Sequence, residues 1–397
     1  MKILQIAPPW IATPPTGYGG TELVIYNLCE QMVTMGHEVT LFATKNSKTS
    51  AKLKYVFDKG LYEQGLPWNG ALPSILHYQQ ACKLFSEGDY DIAHLHLSSQ
   101  TDLMLLAFLS ELKKPYVLTI HGHLPFDRYT NFDEFYFDTY ASKVSAVNIS
   151  QTMHDYMPKQ FKSDGFVYNG MEVEKMTYNP NPGKYFAWIG RIVPVKGLHH
   201  AINVALKTGE KLFFAGTVDL QNTDGGLDYF NNLIKPHIDG EQIKFLGEAD
   251  FEIKNQLFSN AKAFLNPIDW VEPFGMVMIE AMGCGTPVIS FDKGAAKELV
   301  LNEETGFLVR DEDEMIEAMS KIHLIDRAVC RNHVLQNFTA RASAEGYLKI
   351  YHQKVKQHVP TTSRVFTETK HLFGDFVKIR PKPRGLLNTK TQPFQQT

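Results

Sequence analysis

Glu272 and Glu280 stand in the run Glu272-Pro273-Phe274-Gly275-Met276-Val277-Met278-Ile279-Glu280-Ala281-Met282-Gly283-Cys284-Gly285-Thr286-Pro287-Val288. The run reads as a strand end, a turn, and a helix beginning near Phe274-Gly275. A helix start presents unpaired N–H groups and the positive end of the peptide dipole, which suits a phosphate or a sugar hydroxyl. Glu280 would lie inside that helix, about 8 Å along its axis from the start. One carboxylate at the mouth and one deeper can accept hydrogen bonds from hydroxyls at the two ends of an elongated ligand. A nucleotide sugar, with hydroxyls on its hexose and its ribose, has that form.

A second constellation is Trp188-Ile189-Gly190-Arg191-Ile192-Val193-Pro194-Val195-Lys196-Gly197. A strand ends at Gly190 and two cations follow, Arg191 and Lys196. At a strand's carboxyl end they could neutralise a diphosphate leaving group, where negative charge builds during transfer. A third is Pro15-Thr16-Gly17-Tyr18-Gly19-Gly20-Thr21-Glu22, between the first strand and its helix. Glycines there, Gly19 and Gly20 among them, let backbone N–H groups approach a phosphate closely. The G-x-G-x-x-G spacing of a dinucleotide fingerprint is broken by Tyr18 and Thr21. A fourth is histidine at strand ends: His94 and His96 in Asp91-Ile92-Ala93-His94-Leu95-His96, and His121 in Thr119-Ile120-His121-Gly122. Such residues serve as hydrogen-bonded structural groups or as site residues, and the three have the residue type for a metal. Asp89-Tyr90-Asp91 has a metal-binding D-x-D form but reads as a loop turn ahead of a strand.

The elements that must position these residues are short apolar runs alternating with helix-period segments, the pattern of parallel α/β units. Strands are expected at Ile3-Ala7, Val39-Ala43, Ile92-Leu95, Tyr116-Ile120 and Val144-Ile149, then Tyr185-Ile189, Leu212-Ala215, Ile243-Leu246, Ala263-Leu265 and Pro287-Ser290. Thr21 is expected to cap a helix carrying Val24, Leu28 and Met32 on one face, closed by Gly36. Asp311-Glu312-Asp313-Glu314 reads as a helix start that suits the dipole. The break at Asn179-Pro180-Asn181-Pro182-Gly183 reads as a linker. It divides a first domain, residues 1–178, from a second, 179–340. A helix at 341–358 is expected to pack back on the first domain, and residues 359–397 form a basic, loosely ordered tail that could touch an anionic membrane surface. Among the aromatics Tyr129, Phe132, Phe135, Tyr136, Phe137 and Tyr140, ordinary packing is expected over stacking on a sugar.

Hydrophobic residues make up 44% and charged residues 21% of the 397, enough apolar material for a core in each half, and the formal net charge of -3 excludes a general affinity for nucleic acid. The four cysteines are far apart, without metal-like spacing, and fit a reducing compartment. No signal peptide is read at the N-terminus, so the location expected is cytoplasmic.

The two-glutamate run and its Gly-Cys-Gly-Thr-Pro exit resemble the signature of family 4 glycosyltransferases, retaining enzymes of the GT-B fold. The resemblance covers roughly residues 1 to 355. It implies an α/β chain of two facing Rossmann-like domains with an interdomain cleft. It also implies transfer of a hexosyl unit from a nucleoside diphosphate sugar to a hydroxyl of a glycan, lipid-linked or small-molecule acceptor. UDP-glucose and GDP-mannose are both admitted, with a slight lean to UDP-glucose. In the family the glutamate matching Glu272 contacts the transferred sugar and that matching Glu280 the ribose. The backbone at Phe274, Gly275 and Met276 lies against sugar and diphosphate. Gly190, Arg191 and Lys196 fall in a G-R-x-x-x-x-K-G motif whose cations hold the diphosphate, Gly19 and Gly20 in a loop facing the donor phosphate, and His121 on a histidine beside the sugar. The resemblance thus makes His121, Glu272, Arg191 and Lys196 the catalytic set, with no metal and no cofactor beyond the donor. Val167-Tyr168-Asn169-Gly170-Met171-Glu172 is similar to the family's domain-crossing turn, and Glu298 follows its later pattern. Rival readings are a GT-B-like nucleotide-sugar 2-epimerase and a non-catalytic nucleotide- or glycan-binding protein.

Overall fold

A computed structural model describes residues 1–17, 19–67, 70–122, 131–181, 183–218 and 225–358. Tyr18, Tyr129 and the basic tail named above lie outside the described residues. Two sheets form. The first holds β1 (Lys2–Ile6), β2 (Glu38–Ala43), β3 (Lys52–Tyr55), β4 (Ile92–Leu97), β5 (Tyr116–Ile120), β6 (Ser145–Asn148) and β7 (Lys162–Phe166), in the order β3-β2-β1-β4-β5-β6-β7. The second holds β8 (Tyr185–Ile189), β9 (Leu212–Ala215), β10 (Ile243–Phe245), β11 (Ala261–Asn266), β12 (Val288–Phe291) and β13 (Gly306–Val309), in the order β10-β9-β8-β11-β12-β13. Every neighbouring pair runs parallel.

The central strands are covered on both faces, which is why they read as apolar runs rather than as alternation. Successive residues still face opposite ways: Leu4 and Ile6 enter one hydrophobic cluster, Ile3 the other. All ten expected strands form, with ends shifted by at most two residues. The three unforeseen strands are edges, β3 and β7 in the first sheet and β13 in the second. β3 (Lys-Leu-Lys-Tyr) and β7 (Lys-Ser-Asp-Gly-Phe) carry the charges that protect an open edge, and those charges hide them from a hydrophobicity reading.

Thr21 does not cap its helix. The helix Gly20–Thr34 begins one residue earlier, with Gly19 at the N-cap and no side-chain cap bond. Glycine at that position costs only a few tenths of a kcal/mol against a hydroxyl cap, and Glu22 in the first turn suits the dipole. The C-terminus closes as expected at Gly36, whose N–H donates to Val33 O (2.9 Å) while His37 N–H donates to Met32 O (3.1 Å). Asp311 caps the helix Glu312–Lys321 by accepting from Glu314 N–H. Asp89 and Asp91 both hold Lys2, the first at its ammonium and the second at its N–H, so the D-x-D tether joins β1 to the start of β4.

The chain crosses between the sheets twice, side by side. Met171 N–H donates to Phe338 O (3.0 Å) and Ala340 N–H to Met171 O (2.8 Å). The helix Ala340–His358 then lies against the helix Gly20–Thr34 and β5, burying Tyr347 and Tyr351 completely. No helix among the described residues is long and apolar enough to cross a membrane.

The connecting segment is clamped from the second half. Arg327, 6% exposed, donates to Asn179 O (2.7 Å), Ala261 O (2.9 Å) and Thr286 Oγ1 (2.7 Å). Removing the guanidinium leaves these buried acceptors unmet. Arg327→Leu is therefore expected to lower the unfolding free energy by about 2–3 kcal/mol in urea titrations, and an unchanged midpoint would show that the clamp carries no stability.

Candidate functional site

In an open parallel sheet, ligands bind beyond the carboxyl ends of the strands where the strand order reverses. In the second sheet that reversal lies between β8 and β11, because β9 and β10 continue to one side and β12 and β13 to the other. The loop after β8 carries Gly190, Arg191 and Lys196, and the loop after β11 carries Trp270 and Glu272. The two loops are tied together by Asp269 N–H, which donates to Val195 O at 2.7 Å. Across them Lys196 Nζ lies 2.9 Å from Glu272 Oε2, with the two side chains 21% and 11% exposed. Trp270 Nε1–H donates to the same carboxylate oxygen at 3.0 Å, and the Lys196 ammonium sits 4.6 Å from the Trp270 ring centroid. A charge with little access to water is costly when unpaired, so removing either partner would leave the other poorly solvated. Arg191, in the same loop as Lys196, is half-buried.

The chain leaves Glu272 through Pro273 and Phe274 into the helix Met276–Gly283. Gly275 is its N-cap in the left-handed region, φ 94°, where a side chain would be strained. The Phe274 ring is buried against Tyr168 and Phe338, so this residue offers only its backbone to a ligand. Gly275 and Met276 are half-buried. Glu280, 4% exposed, lies further along the helix with Oε1 2.5 Å from Lys254 Nζ, on the helix Phe251–Ser259.

The first sheet reverses between β1 and β4. Gly19 and Gly20 follow β1, and His121 follows β5, which pairs with β4. Glu22, buried behind Gly19, has its carboxyl pushed up to about 7 by burial. His121 Nε2 lies 2.8 Å from His96 Nδ1, and burial pushes the His121 imidazole down to about 3, so the ring is neutral at physiological pH. His94 and His96 are completely buried with both ring nitrogens of each engaged. Among the described residues no group of three His, Cys, Asp or Glu side chains is placed to hold a metal ion. Of the aromatic group, Phe137 and Tyr136 are packing residues, and Phe135 is exposed.

The halves touch at these edges. Ser150 Oγ–H donates to Pro273 O (2.7 Å), and Glu298 accepts from Gln151 N–H (2.8 Å) and Thr152 N–H (2.7 Å). The segment after β6 is thus held against the turn that carries Glu272.

Residues 18–175 match the family described as Glycosyltransferase Family 4, and residues 174–332 that described as Glycosyl transferases group 1. The chain belongs to the group 1 glycosyltransferases of family 4. Among the relatives of this glycosyltransferase is the phosphatidyl-myo-inositol mannosyltransferase of Mycobacterium tuberculosis, 26% identical over 327 residues, covering 78% of this chain and 82% of that protein. Sucrose-phosphate synthase from Thermosynechococcus elongatus shares the fold with a TM-score of 0.72 at 19% identity, over 89% of this chain and 98% of that one. Anabaena HepE, solved with UDP and glucose, does so with a TM-score of 0.66 at 17% identity, over 89% and 100%. These neighbours are GT-B glycosyltransferases, so the expected two-domain α/β fold is the one observed.

The glycosyltransferase sequence does not announce Trp270, Lys254 or Gly294. Trp270 sits two residues ahead of Glu272, the only local signal for its bond, whereas Lys254 meets Glu280 from another helix. Gly294 has φ 65°, and a Cβ there would lie 2.2 Å from Glu272 N and 2.4 Å from Glu272 O. Ala295 N–H donates to Glu272 O at 2.8 Å, so this turn is the wall behind the Glu272 backbone. Gly294→Ala is expected to displace Glu272 and cut transfer by roughly 10²-fold, the usual cost of a misplacement of about 1 Å. Transfer at the unaltered rate would show that this wall does not position Glu272.

Proposed function

We propose that the chain moves a hexosyl unit from a nucleoside diphosphate sugar to a hydroxyl acceptor, with retention of configuration and without a catalytic metal. The observation that carries this reading is the Lys196–Glu272 pair, set across the reversal of the second sheet beside the helix start at Gly275. A donor entering there gives each charge a new partner. Its diphosphate takes Lys196 and Arg191, and a sugar hydroxyl donates to Glu272. Glu280 and Lys254 lie further along, where the ribose would reach. The bond from the anomeric carbon to the diphosphate oxygen breaks while a bond to the acceptor oxygen forms on the same face. The acceptor's proton passes to the departing phosphate oxygen. The negative charge that builds on that oxygen meets the two cations and the helix start, each contact supplying about 3 kcal/mol in the transition state. With the charge met by side chains, no metal is needed in this scheme.

The mannosyltransferase relatives make a mannosyl donor the first to test, with a glucosyl donor second, and a polyol or sugar hydroxyl as the acceptor class. Glu272→Ala and Lys196→Ala, each checked for retained fold, are expected to lose transfer by at least about 10²-fold. EDTA is expected to leave the unaltered protein's rate unchanged. Full transfer by either variant would refute the site assignment, and loss of the rate in EDTA would refute metal independence.

A further inference from the structure

A line of hydrogen bonds descends from His121 through the first sheet. His121 Nε2 lies 2.8 Å from His96 Nδ1, and His96 Nε2 lies 3.0 Å from Gln5 Oε1. Gln5 Nε2–H donates to the Tyr351 hydroxyl (2.9 Å), which lies 2.6 Å from His94 Nδ1. His94 Nε2 lies 2.7 Å from Thr119 Oγ1, which is bonded to the Tyr347 hydroxyl at 3.0 Å. Every member below His121 is completely buried. Burial holds all three imidazoles well below their ordinary range, so the rings are neutral.

A neutral imidazole has one N–H and one bare nitrogen, so a ring that donates on one side must accept on the other. The links are therefore coupled, and two proton arrangements satisfy them, each the reverse of the other. The Gln5 amide decides between them. Its Nε2 lies 3.5 Å from Met32 Sδ, a weak acceptor that suits the NH2 group and offers nothing to a carbonyl oxygen. With the amide so turned, Gln5 Oε1 must accept from His96 Nε2–H. His96 Nδ1 is then bare and accepts from His121 Nε2–H.

We infer that Gln5 and His96 are positioning residues that hold His121 in its Nε2–H tautomer, so that its bare Nδ1 is an acceptor for a substrate hydroxyl. The inference rests on His121 being a site residue in the function proposed above. Among the described residues Nδ1 has no hydrogen-bond partner. A ligand group that donates, a hydroxyl, is thereby preferred there over one that only accepts, such as an ether or a fluorine.

The test is nitrogen NMR of the full-length protein labelled in its histidine rings, with the His121 signals assigned by their loss in His121→Ala. The unaltered protein is expected to show a neutral His121 with Nε2 protonated and Nδ1 bare. Gln5→Leu removes the acceptor for His96. Met32→Leu removes the sulfur at nearly constant core volume. Both are expected to bring in the Nδ1–H form of His121, and kcat/KM should fall about twofold when the two forms are equally populated. A His121 protonated at Nδ1 in the unaltered protein would overturn the inference whether or not the variants fold. So would a lone Nε2–H form persisting in both variants. Because the spectrum is read without substrate, either result leaves the transferase reading to stand or fall on its own assays.

Discussion

Lys196 and Glu272 come from loops that follow different strands, and they meet as an ion pair with little access to water, where losing one partner leaves the other's charge poorly solvated. Much of the second half can be read as the means of holding them 2.9 Å apart. β8 and β11 are neighbours at the point where the strand order reverses, so their loops diverge from adjacent strand ends. Trp270 fixes one carboxylate oxygen from the side, and Gly294 closes the space behind the Glu272 backbone. The turn through Pro273 ends at Gly275, whose left-handed backbone aims a helix start at the same place. A pair built this way is poor evidence for stability, since replacing a buried ion pair by apolar residues is often neutral or better. In the function proposed above, its value lies in holding two side chains oriented and little hydrated until a donor takes over both.

The first half supplies a different kind of surface. Its edge presents the backbone of Gly19 and Gly20 and a neutral His121, with no cation of the second half's kind at the described positions named here. The rings beneath His121 are neutral because burial disfavours their charged form. That side of the site can therefore exchange hydrogen bonds without adding charge, while the cations stand on the side where a diphosphate would lie. Ser150 and Glu298 join the two edges through backbone partners, so the surfaces meet through a few directed bonds.

What the sequence made legible follows from the range of each interaction. Strands such as Tyr116–Ile120 and Leu212–Ala215 are short apolar runs between turns, and local composition is enough to find them. β3 and β7 escaped because edge strands carry polar residues for a reason unrelated to burial. Thr21 looked like a cap by residue type, yet the helix starts at Gly20, because the backbone before it runs through glycine. Glu272, Glu280, Arg191 and Lys196 stood out by residue type and spacing, and the fold pairs Lys196 with Glu272 and Glu280 with Lys254. Their partners Trp270 and Lys254, and the Gln5–His96–His121 line, were not, since each depends on residues brought together only by the fold. Gln5 in particular is a polar residue between apolar neighbours in β1, and nothing nearby in the chain marks its bond to His96.

The most direct test is a crystal structure of the protein with an intact or non-transferable nucleoside diphosphate sugar. The account expects Lys196 to have left Glu272 for the diphosphate, with Arg191 beside it, Glu272 accepting from a sugar hydroxyl, and Glu280 accepting from the ribose. A donor bound elsewhere, with the Lys196–Glu272 pair unbroken, would contradict it.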